Sequence, residues 1–149
     1  MFINWFWNQI EAYLTNRPNS ISSNLRWLAH GPRTNVFSYH GYYTTGYYFY
    51  TEAHDDKCTV QNSRVTLMAQ AMHIFSAKDK KSVYANMSYY GVIKNIWESD
   101  YIMFHHTVFQ CKWVENNNGI KIDELGFTQV DLNRGGHKED TFILASQEK

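Results

Sequence analysis

Only two cysteines, Cys58 and Cys111, occur in the 149 residues, too few for the disulfide framework of a small secreted domain. Neither sign of charge is in excess: Lys and Arg number 14, Asp and Glu 14. A protein whose main task is to grip phosphates usually shows a basic surplus, so that task is disfavoured. The same balance argues against an acidic disordered tail, and it leaves copies of the chain repelling one another weakly. No apolar run approaches the roughly 20 residues of a membrane span, so no membrane contact is expected. Met1-Phe2-Ile3 runs directly into Asn4 and Trp5, with no basic leader and no small-residue cleavage site. An intracellular, reducing setting is the expectation. The length fits one domain, residues 1–149, which can bury roughly 68–70% of its unfolded surface without a metal or disulfide.

What the chain has in abundance is aromatic: 11 Tyr, 9 Phe and 5 Trp, 17% of its residues. Such side chains favour pleated surfaces, and the composition leans towards sheet. Residues 1–33 read as a helical segment. Ile3, Phe6, Trp7, Ile10 and Leu14 fall at helical spacing, and Arg17-Pro18 ends that helix. A second short helix is expected with Ser22 or Ser23 as its cap, Leu25 and Leu28 facing inward, and Gly31-Pro32 as its stop.

From 34 to 75 the period becomes two. Val36 to Tyr39 and Tyr47 to Thr51 read as strands, with bends at Gly41 and Gly46. Val65, Leu67, Ala69 and Ala71 alternate with Thr66, Met68 and Gln70 in a third. Residues 76–82 form a charged loop. Within 89–147, strands are expected at Tyr89 to Trp97, around Thr107 to Trp113, and at Ile120–Ile122, Phe127–Leu132 and Phe142–Ala145. Asn116-Asn117-Asn118-Gly119 reads as a hairpin turn using positive φ, and Arg134 to His137 as another turn. The expected class is therefore mainly β (β-rich α+β), with a small SH3-like, barrel-like C-terminal sheet and one or two short N-terminal helices.

Candidate chemistry is thin. His54 and Cys58 stand four apart and His105-His106 are adjacent, but zinc wants four ligands and there is no second cysteine pair. No metal site and no cofactor are expected. The carboxylate pairs Asp55-Asp56, Glu98 with Asp100, Asp123-Glu124 and Glu139-Asp140 read as water-facing acids at strand ends and turns. Gly135-Gly136 precedes no helix and makes no phosphate cradle. Cys111 alternates with Phe109 and Trp113, as a buried, inert thiol would. No catalytic residue is assigned. The remaining candidates are Tyr89, Tyr90, Trp97 and Trp113, an aromatic surface able to hold a methylated lysine through cation–π contacts, or bases by stacking.

A series of strings then resembles one family. Leu28-Ala29-His30-Gly31-Pro32, Gly46-Tyr47-Tyr48-Phe49-Tyr50-Thr51 and Thr59-Val60-Gln61-Asn62-Ser63 come first. Tyr89-Tyr90-Gly91-Val92-Ile93, Ile96-Trp97-Glu98 and Phe109-Gln110-Cys111-Lys112-Trp113-Val114 follow. The strongest likeness is Asp123-Glu124-Leu125-Gly126-Phe127-Thr128 through Val130-Asp131-Leu132-Asn133, then Phe142-Ile143-Leu144-Ala145-Ser146-Gln147. From about Trp27 to Gln147 the chain resembles the domain of unknown function found in plant CACTA (En/Spm) transposon proteins. The resemblance implies a mobile-element origin and a nuclear setting, and it implies no activity. Arg64 stands where relatives carry Gly, and Thr141 where they carry Pro. Relatives also continue into a further strand, so a shortened copy with an unpaired C-terminal strand edge, open to self-association, is expected. The leading functional expectation is a non-enzymatic interaction module binding protein or chromatin. Weak, non-specific nucleic-acid binding comes second and a metal-dependent nuclease or transposase third.

Overall fold

The computed structural model describes Asn8, Ala12 and residues 22–73, 83–136 and 141–147. Asn8 and Ala12 are helical; the rest of the expected first helix, the charged loop at 76–82 and the pair Glu139-Asp140 lie outside the described residues. Two compact units are present: Met1–Ser38 with Trp97–Val108, and Tyr39–Ile96 with Phe109–Lys149.

In the first unit, Ser22 keeps an extended backbone and its hydroxyl accepts from the Leu25 N–H at 3.4 Å, capping helix α1 (Ser23–His30). Gly31, at φ +80°, ends it. Leu25 and Leu28 do not face inward as expected; each is 39% exposed, and the buried residue of α1 is Ala29. A helix of barely two turns presents only one small residue to the interior. The two leucines instead line an open cleft of about 310 Å³ with Phe104 and His106.

Strand β1 (Val36–Tyr39) is followed by β2 (Gly41–Thr44) and β3 (Tyr47–Tyr50), then the short helix α2 (Glu52–Asp55). Of the bends expected at Gly41 and Gly46, the one at Gly46 is present as the β2–β3 turn, whereas Gly41 opens strand β2, paired with β3 in the register Tyr42↔Phe49 and Tyr43↔Tyr48. Its turn residues Thr45 and Gly46 both take positive φ, as a two-residue hairpin of this hand requires. β4 (Arg64–His73) pairs antiparallel with the 18-residue β5 (Val83–Asp100), which leads into β6 (His105–Val114). β7 (Ile120–Ile122), β8 (Thr128–Val130), β9 (Gly135–Gly136) and β10 (Phe142–Leu144) complete the described strands, and a 3₁₀ turn follows at Ala145–Gln147.

The fold is mainly β, as expected, but it is not a closed barrel. The six-stranded sheet runs β1–β5–β6–β10, with β4 also on β5 and β9 on β6, and among the described residues β1 and β10 do not pair. Among the described residues β7 and β8 pair only with each other and do not join that sheet.

The core of the second unit forms on one face of the sheet. Phe109, Cys111 and Trp113 alternate along β6 and meet Val65, Ile93, Ile96, Phe49 and Ile143. Ile93 and Ile96 are three apart yet share this core, while Asn95 donates from the opposite face to Gln110 Oε1 at 2.6 Å. A strict two-residue period cannot do both, so β5 shifts its facing by one residue there. Tyr42 and Phe49 close the core from the β2–β3 hairpin, with ring centroids 6.1 and 5.4 Å from that of Phe109.

Candidate interaction surface

Of the aromatic residues singled out by sequence, the three in the second unit, Tyr89, Tyr90 and Trp113, do not share one open face. Trp113 is 4% exposed in the core, and Tyr89 packs against that core. Tyr90, its neighbour on β5, points to the other face and lines a cleft of about 350 Å³ with Arg64, Thr66, Thr128, Val130 and Leu132. Trp97 belongs to the first unit and the other three to the second. Trp113 thus has no face to offer a methylated lysine.

Two of the acidic groups expected to face water are buried instead. Asp55 is 3% exposed, and its Oδ2 accepts from the Ser63 N–H at 2.7 Å, tying α2 to the start of β4. Its Oδ1, like Thr51 Oγ1, has no hydrogen-bond partner among the described residues. Asp100 is 9% exposed; it accepts from the Ile102 N–H at 2.6 Å and pairs with Arg33 Nε at 3.4 Å. Each carboxylate satisfies a backbone donor that a fold-specific turn leaves bare, which sequence periodicity does not reveal. His105 Nδ1 stands 3.7 Å from Glu98 and 3.9 Å from Asp100. Cys58 Sγ lies 3.8 Å from His54 Nδ1. Among the described residues no three His, Cys, Asp or Glu side chains are placed to share a metal ion.

The β5–β6 connection holds a strained turn. Met103 N–H donates to Tyr101 O at 2.9 Å around Ile102, whose φ is +75°. A β-branched residue rarely adopts that backbone, and a three-residue turn of this hand is strained.

An exposed apolar display is built on the β7–β8 hairpin. Its register is Ile120↔Val130, Lys121↔Gln129 and Ile122↔Thr128. At the tip, Asp123 Oδ1 accepts from the N–H groups of Leu125 (3.0 Å) and Phe127 (2.8 Å), and the Asp123 N–H donates to Phe127 O at 3.0 Å. Gly126, at φ +84°, supplies the left-handed residue the turn needs. The base is equally fixed: Asp131 N–H donates to Gly119 O at 2.8 Å, and Glu115 N–H to Arg134 O at 2.9 Å. The turn expected at Asn116–Gly119 is present, but Gly119 does not use positive φ. It is required because a Cβ there would sit 2.3 Å from Val114 Cγ1. On this braced loop Ile122, Leu125 and Phe127 are 68%, 82% and 67% exposed.

Phe127, expected within a strand, lies just before β8 at the end of the turn, and alternation alone does not reveal this display. The signal was Asp123 followed by Gly126, a turn-forming spacing with apolar residues between and after.

This hairpin lies within the segment that matches a known family. Residues 97–149 match the family described as a domain of unknown function (DUF4216). No curated protein and no solved structure matches the chain. The chain is therefore a β-rich protein whose C-terminal segment is similar to that domain.

Proposed function

We propose that this chain is a non-enzymatic interaction module, an accessory part of a plant CACTA-type transposon protein, acting in the nucleus and docking on its transposase through the β7–β8 tip. The observation that carries the reading is the exposure of Ile122, Leu125 and Phe127 on a loop held by the Asp123 carboxylate. Three large apolar side chains left in water cost solubility, and a braced backbone spares the ordering entropy of binding. The tip also lies inside the segment that matches the domain of unknown function. A non-enzymatic role is supported by the employment of Asp55 and Asp100, which serve backbone donors and Arg33.

The test is calorimetric titration of the chain with the transposase segment encoded by the same element. Leu125→Asp with Phe127→Asp is expected to weaken binding at least about tenfold, roughly 1.4 kcal/mol. Equal affinity of the double variant would remove the tip from the account.

A further inference from the structure

We infer that two copies of this chain pair through β4, edge to edge and antiparallel, about a two-fold axis at Met68. β4 is paired in register with β5 along all ten of its residues, and among the described residues no strand pairs with its other edge, towards which the alternate backbone groups point. Natural edge strands are usually blunted by Lys, Pro, bulges or brevity. Arg64–His73 is long, contains no Lys, Pro or Gly, and carries its only Arg at the first position.

The occupant follows from register. A two-fold axis normal to the sheet carries the core face of one copy onto that of the other, so facing positions must share parity. Centring on Met68 sets Met68 against itself, Leu67 against Ala69, Thr66 against Gln70 and Arg64 against Met72. No like charges meet directly, which would oppose pairing. The pairing covers Met68, which is 68% exposed at the middle of the strand. A formal net charge of zero supplies no long-range repulsion between copies. Self-association is thereby assigned to β4 rather than to a C-terminal strand edge.

Light scattering across about 1 μM to about 1 mM should show the mass of the wild-type chain doubling. Met68→Lys, which sets two ammonium groups face to face, should stay monomeric with an unchanged circular-dichroism spectrum. In a Cys58→Ser background, Met68→Cys should cross-link to its own copy on oxidation, while Leu125→Cys should not. A wild-type chain that stays monomeric throughout overturns the proposal. So does a dimer that survives Met68→Lys, or a monomer whose edge takes up a synthetic Arg64–His73 peptide without dimerising.

Discussion

The indole of Trp113 lies directly on the backbone of Gly91: a Cβ added to Gly91 would sit 2.6 Å from Trp113 Cε3 and 3.1 Å from Lys112 O. One residue supplies bulk and the other the space for it. Gly91→Ala forces the ring off its position and should cost about 1–3 kcal/mol, the range for overpacking. Trp113→Ala empties the same place and should cost about 3–5 kcal/mol. Urea unfolding of both variants checks the pair. A Gly91→Ala variant as stable as wild type would mean that the ring does not rest there.

Ile102 holds φ +75° in a turn where only the backbone demands that value. Replacing it by Gly removes a conformational penalty of roughly 1–2 kcal/mol, and the added freedom of the unfolded chain offsets part of this. Ile102→Gly is expected to raise the unfolding midpoint in urea. A lower midpoint would show that the exposed isoleucine side chain contributes to stability.

Asp123→Ala removes an acceptor shared by two loop N–H groups. The expected loss is about 1–2 kcal/mol at most, because the groups are open to water. The loop amides of Leu125 and Phe127 should lose their protection from hydrogen exchange while the β5–β6 core amides keep theirs. Exchange that is unchanged at the loop would contradict the bracing assigned to Asp123.

Nucleic-acid binding should be weak. With no net charge, association with short duplex DNA is expected above micromolar Kd at physiological salt and insensitive to sequence. Nanomolar preference for one sequence in a fluorescence titration would reverse the ranking of functions.

How far these features could be read in advance depended on whether they were local. Ser22 as cap, Gly31 as stop, the alternation of Phe109, Cys111 and Trp113, and the bounds of Ile120–Ile122 all follow from neighbouring residues and were legible. Burial of Asp55 was not, because its partner Ser63 becomes close only once α2 and β4 are both in place. Strand β2 was hidden because Gly41 looks like a bend. The Tyr50 ring would lie 2.7 Å from a Cβ at that position, so the glycine is there to be covered. The loop tip was half legible: the string around Asp123 stood out, but not that Leu125 and Phe127 point to water.

The central claim is that the β7–β8 tip is the docking surface. The direct measurement is amide chemical-shift mapping of the labelled chain as the transposase segment is added. The account predicts changes concentrated on residues 122–128, lost in the Leu125→Asp, Phe127→Asp variant, whose own fold is unaltered. Changes centred on another surface, with 122–128 unmoved, would contradict it.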